Sequence, residues 1–195
     1  MTAPGQGAQS DLGPVATGGT SCWQGARGQL LAVSLALLGG IFGLLGALLT
    51  ELRYGGGVLL LVIGAPVVEE VLKPLGVYVL LWRCPQLILG AWHSGFLAAI
   101  SGIVFGLVES TLYVNLYVEA PTGNYTAFRY SVPVMVHGLC SFLAGLGVSP
   151  GLRGWVEGRG PLPARTRNLF LSAVALHALY NLTGLALEAA GIISF

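Results

Sequence analysis

Charged residues are scarce in this sequence. Of its 195 residues, 54% are hydrophobic and only 9% are Asp, Glu, Lys or Arg, whereas an average soluble domain carries about 25% charged residues. Such a chain lacks the polar side chains that coat a water-facing surface, which excludes a soluble globular protein and a disordered one. The net charge of +1 offers no basic face, so we expect no nucleic-acid partner. The composition predicts an all-α, polytopic helical bundle in the lipid bilayer.

Aspartate and the common catalytic motifs are missing as well. No Asp follows Asp11, which excludes aspartate-based intramembrane proteolysis and prenyl transfer of the DDxxD type. There is no HExxH helix, Walker loop or Gly-rich dinucleotide motif, and nothing resembles a Ser–His–Asp or Ser–Lys arrangement. Cys22, Cys84 and Cys140 lack CxxC spacing, so we expect neither a disulfide framework nor a thiolate zinc site.

About five stretches of the chain are long and apolar enough to cross a bilayer, which takes about 20 residues for each helix. They cover approximately residues 30–50, 55–82, 92–114, 131–148 and 168–187. The second stretch would be about 42 Å long at ~1.5 Å per residue, so we predict that it tilts, or bends at Pro66 or Pro74. The alternative is that it forms two separate spans.

The flanking segments predict the domain division and the orientation. Residues 1–28 are rich in Gly, Ser, Thr, Ala and Pro and are expected to form a disordered cytoplasmic tail, and residues 29–195 form one transmembrane domain. With five spans, Arg53 and Arg129 lie on one side of the membrane. The other side carries Arg27, Arg83, Arg153, Arg159, Arg165 and Arg167. The positive-inside rule then predicts a multi-pass protein of the cytoplasmic membrane with a cytoplasmic N-terminus.

A few polar side chains fall inside the predicted spans. They are Glu69, Glu70, Lys73, Glu109, His137, His177 and Asn181. A charge at the centre of a membrane helix costs roughly 2.5–3.5 kcal/mol, so such residues face the bundle interior and are functional candidates. Counted at ~1.5 Å per residue, the carboxylates and imidazoles fall in one layer about 10 Å thick. Their convergence predicts a single site.

Spacing within the helices favours a hydrolytic site. Lys73 follows Glu69 by four residues and Glu70 by three, so it can neutralise one carboxylate of its own helix and leaves the other unpaired. His177 and Asn181 share a helical face, an arrangement that interhelical hydrogen bonding alone would also explain. Carboxylates and imidazoles can activate water directly or through a metal ion, and the Asn181 amide can donate to a developing oxyanion.

The first two motifs resemble those of the PrsW family of intramembrane proteases. Glu69-Glu70-Val-Leu-Lys73 is similar to the family's EExxK motif, and Phe105-Gly-Leu-Val-Glu109 is similar to its FxxxE segment. The related CAAX prenyl endopeptidases usually have FxxxH at this place. The glutamate therefore favours the PrsW branch of the superfamily.

Two further motifs follow in the order of the family. Arg129, Pro133 and His137 resemble its third block, in which an Arg precedes a His at the start of a helix. His177-Ala-Leu-Tyr-Asn181 resembles its terminal HxxxN motif. The four blocks together extend over residues 66–184, which is nearly all of the predicted membrane domain.

The resemblance implies hydrolysis of peptide bonds in or beside the bilayer, with a single-pass membrane protein as the substrate. The typical reaction is the first cut of a membrane-anchored anti-sigma factor. Glu69 or Glu70 would then act as the general base, with its partner oriented by Lys73, and Glu109 and His137 would hold the water or a zinc ion. His177 and Asn181 would stabilise the oxyanion, unless His177 is a ligand. The metal ligands, if zinc is the cofactor, would be Glu70, Glu109, His137 and His177. A glutamate-dependent route without metal stays open.

Two other functions are compatible with intramembrane Glu and His residues. One is a small proton- or ion-coupled transporter, although no internal repeat is visible in the sequence. The other is an inactive family member that acts as a scaffold or immunity factor. Gly39/Gly43 and Gly102/Gly106 have GxxxG spacing, which favours packing within the chain over a dimer interface and leaves the oligomeric state open.

Overall fold

The structure is a computed structural model that describes residues 25–55 and 57–191. These residues form helices and short connections, and no β-strand occurs among them. The α-helices are α1 Gly25–Tyr54, α2 Ala65–Leu72, α3 Leu75–Arg83, α4 Ala91–Leu112, α5 Gly123–Arg129, α6 Val132–Leu146, α7 Pro150–Val156 and α8 Ala164–Ala189. The predicted all-α class is confirmed.

Three helices of the described chain are long and apolar enough to cross a membrane by themselves: Gly25–Thr50, Ala91–Tyr117 and Ala164–Ala189. A fourth is added if Gly123–Leu146 and Pro150–Val156, which meet at 79°, count as one bent span. A helical membrane bundle is thus confirmed, with three or up to four such spans in place of the expected five or so.

The second predicted span is divided into pieces, which accounts for the lower number. A π-helical turn, Leu60–Gly64, leads directly into α2, and Pro74 separates α2 from α3. Proline has no N–H to donate and its ring clashes with the preceding turn, so a helix bends or ends there. The predicted bend at Pro74 is confirmed, whereas Pro66 lies in the first turn of α2 and interrupts nothing.

Two expectations need correction. Helix α1 begins at Gly25, so residues 25–28 are helical although we expected the tail to extend to residue 28; residues 1–24 lie outside the described part. Cys84 is disulfide-bonded, with its partner outside the described residues, while Cys140 is free and buried.

The GxxxG glycines pack helices against each other inside the chain, as expected. A Cβ at Gly39 would lie 2.7 Å from the backbone nitrogen of Gly76. A Cβ at Gly102 would collide with the backbone carbonyl of His137, and one at Gly106 would lie 2.9 Å from Cα of Val134. The absence of side chains therefore lets α1 approach the α2–α3 bend and lets α4 approach α6. Both contacts position residues of the candidate site.

The bundle buries a polar cluster beside an apolar core, and its exterior is largely apolar. Glu70 and Lys73 are completely buried, and His137 and His177 are each only 2% exposed. Leucines such as Leu49 and Leu59 cover the exterior. This distribution fits a protein whose surroundings are hydrocarbon, where exposed apolar side chains cost nothing and charges must find partners within the bundle.

Candidate active site

The centre of the site is Lys73, which follows α2 immediately. Its Nζ lies 2.7 Å from Oε1 of Glu70 and 3.1 Å from Oε2 of Glu69, and it lies 4.5 Å from the centre of the Phe105 ring. The Ser101 hydroxyl of α4 donates to the Lys73 carbonyl. The sequence spacing predicted one paired glutamate and one unpaired, whereas the lysine contacts both.

His177 of α8 connects to both glutamates through different ring nitrogens. Its Nδ1 is 2.9 Å from Oε1 of Glu70, a hydrogen-bonding distance, and its Nε2 is 3.8 Å from Oε2 of Glu69. Glu70 thereby holds the imidazole in one orientation. The other nitrogen of the ring faces Glu69.

His137 of α6 has the same kind of support from another carboxylate. Its Nε2 lies 3.0 Å from Oε2 of Glu109 on α4, while its Nδ1 lies 3.9 Å from Oε2 of Glu69 and 2.7 Å from Nζ of Lys73. The ring also packs edge-on against His177, with the two centroids 4.9 Å apart. Helices α2, α6 and α8 thus bring Glu69 and both imidazoles together.

Arg129 is a further member of the site, which the sequence reasoning left among the loop charges. It ends α5, is buried, and donates from a guanidinium nitrogen to Oε2 of Glu109 at 3.1 Å. The guanidinium stacks over the Tyr113 ring at 3.9 Å, and the Ser110 hydroxyl donates to the Arg129 carbonyl. The signal that pointed to it was its place before His137 in the family's third block. Because Arg129 is buried, it is not one of the charges that face solvent. The predicted orientation of the chain in the membrane stays a prediction.

Glu69, His137 and His177 form the cluster best suited to a metal ion. Each offers one ligand atom, and the three atoms lie within 4.8 Å of one another. Oε2 of Glu69 is buried, and its nearest cation is the Lys73 ammonium at 3.1 Å, without hydrogen-bond alignment. A carboxylate with two imidazoles is a donor set that catalytic zinc sites use.

The opposite nitrogen of each imidazole contacts a carboxylate, Glu70 for His177 and Glu109 for His137. Such outer carboxylates are typical supports of metal-binding histidines. The two histidines agree with the predicted ligand set, whereas the carboxylate beside them is Glu69. Glu70 and Glu109 contact the opposite nitrogens of the two imidazoles instead.

A cavity of about 390 Å³ reaches this cluster. Its wall includes Glu69, Glu109, His137, His177 and Asn181, together with apolar residues of α1 and of the π-helical turn Leu60–Gly64. Glu70 and Lys73 are not among the residues that line it. Of the two adjacent glutamates, Glu69 is therefore the one that is accessible from the cavity.

Asn181 lies one turn beyond His177 on α8 and has a structural contact of its own. Its amide Nδ2 donates to the backbone carbonyl of Leu61 at 2.9 Å. This bond fastens the π-helical turn to α8 along the cavity wall. A side-chain amide has two N–H donors, so the predicted role toward an oxyanion stays a prediction.

The structure therefore gathers six of the seven predicted residues into one connected group, with Asn181 at its edge. A family model described as "PrsW family intramembrane metalloprotease" matches residues 24–195. Comparisons with curated proteins and with solved structures find no match. The match extends over every element that carries the site. On the basis of this match, the chain belongs to the PrsW family of intramembrane metalloproteases.

Proposed function

We propose that this intramembrane protease hydrolyses its substrate with a water molecule held against Glu69 in the cavity. The observation that supports this most strongly is the position of the Glu69 carboxylate on the cavity wall beside two imidazoles, with the Lys73 ammonium 3.1 Å from its Oε2. A general base must come within hydrogen-bond reach of the proton that it accepts. Glu69 meets that condition for a water in the cavity, whereas Glu70 is occupied by Lys73 and His177.

The residues around Glu69 fit a zinc ion as cofactor. Glu69, His137 and His177 would hold it, and Glu69 would then be a ligand instead of the base. A bound zinc ion would polarise the scissile carbonyl and make the bound water more acidic. The Glu69 oxygen lies 3.8 and 3.9 Å from the two imidazole nitrogens. Neighbouring ligand atoms of a tetrahedral site with ~2.0–2.1 Å bonds are about 3.3 Å apart, so the observed separations are close to that value.

Lys73 lies close to one of the nitrogens that a metal ion would use. Its ammonium lies 2.7 Å from Nδ1 of His137, the nitrogen that faces Glu69. A metal ion on that nitrogen would compete with the ammonium for the same lone pair. Glu70 accepts a hydrogen bond from the same ammonium at 2.7 Å, so the lysine keeps a buried anionic partner when it releases His137.

The substrate that we propose is a membrane-anchored protein with a single span, such as an anti-sigma factor, for which this would be the first cut. Support comes from the position of the cavity, whose wall contains residues of the membrane helices α1, α4 and α8. A peptide segment that reaches Glu69 must enter among these helices. Substrates that are already held in the bilayer can enter among these helices at the lowest free-energy cost.

The proposal is tested by quantitative membrane proteomics on cells that carry the wild-type chain or Glu69→Gln. We expect at least one single-span protein to accumulate uncut in the variant only. The matched control is Glu188→Gln, which changes an exposed glutamate near the end of α8. Uncut protein in neither variant, with the wild-type chain present in the membrane, contradicts the assignment of Glu69.

A further inference from the structure

A second concave surface lies away from the active site, between α3 and the first half of α8. We call it the α3–α8 groove. It encloses about 890 Å³, and its lining is almost entirely apolar. Val71, Leu75 and Val79 line one wall, Phe170 and Leu171 line another, and residues of α6 and α7 complete it.

An apolar groove on a membrane helix bundle must be filled by something apolar. Val71, Val79 and Leu171 are 44%, 40% and 55% exposed within the bundle. Their neighbours in the bilayer are hydrocarbon, because water is nearly absent from the membrane interior. An acyl chain satisfies the groove without any further contact.

One end of the groove is basic. Arg83, the last residue of α3, and Arg167, in the first turn of α8, both line it, and so do Trp82 and Trp155. Tryptophan is enriched at the level of lipid headgroups. Within the described chain, the residues that line the groove include no Asp or Glu. The guanidinium groups of Arg83 and Arg167 are cations that can attract an anion to this end.

The length of the groove matches one leaflet of the bilayer. From Val71 to Arg83 the chain rises by at most about 18 Å at ~1.5 Å per residue, close to half of the ~30 Å hydrocarbon core. A phospholipid occupies one leaflet, whereas a transmembrane helix about 10 Å wide extends through both. The dimensions favour a lipid over a protein segment.

We propose that the α3–α8 groove binds an anionic phospholipid, with its phosphate between Arg83 and Arg167 and an acyl chain along Val79, Leu75 and Val71. Guanidinium groups bind phosphate oxygens through paired hydrogen bonds. Basic pockets between membrane helices are known sites for anionic headgroups. This site involves none of the residues that surround Glu69.

Native mass spectrometry of the purified full-length protein in detergent tests the proposal. Phosphatidylglycerol and phosphatidylcholine with identical acyl chains are added separately. We expect phosphatidylglycerol to be retained preferentially, and the double variant Arg83→Gln/Arg167→Gln to lose about fivefold in retention for each arginine. The control Arg159→Gln/Arg165→Gln removes the same charge from residues that do not line the groove, and its retention should equal that of the wild type.

A third variant separates the acyl chain from the headgroup. Val79→Trp fills the groove without changing the charge and should lower the retention of both lipids. Equal retention of the two lipids by the wild type, or unchanged phosphatidylglycerol in the Arg83/Arg167 variant, overturns the proposal. So does a photo-crosslinking residue at Leu171 that captures a membrane protein and no lipid.

Discussion

Nδ1 of His177 lies 2.9 Å from Oε1 of Glu70, and this contact directs the other ring nitrogen toward Glu69. Two glutamates that are adjacent in the sequence are thereby separated in role. Glu70 is completely buried between Lys73 and His177, while Glu69 lines the cavity. Under the proposed function, the first would be a positioning residue and the second would contact the reacting water.

This division predicts different effects of two substitutions that look equivalent in the sequence. We expect Glu69→Gln to abolish cleavage and to lower the free energy of unfolding less than Glu70→Gln does, because Lys73 loses its 3.1 Å contact with Glu69 but keeps Glu70 at 2.7 Å. Glu70→Gln removes one partner of a buried ion pair and should cost about 3 kcal/mol. Thermal unfolding in detergent, followed by tryptophan fluorescence, measures the stability, and accumulation of uncut substrate measures the activity.

The two stabilities provide the internal control for this pair of variants. Lys73 stays in place in both proteins, so a loss confined to Glu70→Gln reports on its contacts with Lys73 and His177. An equal loss of stability in the two variants, or full cleavage by Glu69→Gln, would contradict the assigned roles.

Local features of the site followed from the sequence because they depend on spacing along one helix. The i, i+3 and i, i+4 positions of Glu70, Glu69 and Lys73 predicted an ion pair with one of the glutamates, and of the two prolines considered it is Pro74 that lies where α2 ends. GxxxG spacing likewise predicted close packing of α4 on another helix. Each of these inferences uses helical geometry and nothing beyond it.

Features that depend on the rotation of one helix against another could not be predicted. Which of the two glutamates faces the cavity is decided by where α8 places His177. That Arg129 is buried beside Glu109 is decided by the packing of α5, a helix too short to be recognised as part of the membrane bundle. The sequence contains the residues but not the distances between helices.

Arg129 and Glu109 should be thermodynamically coupled. Their contact is 3.1 Å long and largely sheltered, with 11% and 21% of the side chains exposed. Arg129→Gln leaves the carboxylate without its cation and should cost about 3 kcal/mol of unfolding free energy. We expect the double variant Arg129→Gln/Glu109→Gln to lose about 2 kcal/mol less than the sum of the two single losses. This difference is the coupling energy of the pair.

A surface ion pair provides the comparison for this cycle. Arg153 and Glu157 form an i, i+4 pair that is about one-third exposed on both sides, and the hydrogen bond from Arg153 lowers the pKa of Glu157. Arg153→Gln should leave the stability almost unchanged, because an exposed ion pair contributes little. Strictly additive losses at Arg129 and Glu109 in denaturant titrations would show that the buried pair contributes no more than this one.

Gly102 should tolerate no side chain. A Cβ there would collide with the backbone carbonyl of His137, so Gly102→Ala should cost about 2 kcal/mol, the usual range for overpacking. Gly184 of α8 has open space around its Cα, and the same substitution there should be neutral or stabilising by up to about 1 kcal/mol. Thermal unfolding of both variants compares them directly; equal midpoints would mean that α4 and α6 are less closely packed than described.

Zinc content should depend on His177 and not on His93. Elemental mass spectrometry of the purified wild-type protein is expected to find about one zinc ion per chain, the number that a single three-ligand site binds. His177→Gln should lose most of it. His93→Gln should not, because that imidazole lies outside the cluster and accepts from the Leu89 amide. A metal-free wild-type protein that cleaves its substrate regardless of chelator would favour the glutamate route.

Asn181 should stabilise the π-helical turn Leu60–Gly64 that borders the cavity. Its amide donates to the Leu61 carbonyl at 2.9 Å, and removing one such hydrogen bond typically costs about 1 kcal/mol. Asn181→Ala should therefore speed amide hydrogen exchange in Leu60–Gly64 about fivefold while α2 stays protected. Asn168→Ala, which removes a side chain bonded only to its neighbour Arg167, should leave that turn unchanged. Identical exchange in the two variants would mean that Asn181 acts on the chemistry in the cavity and does not hold its wall.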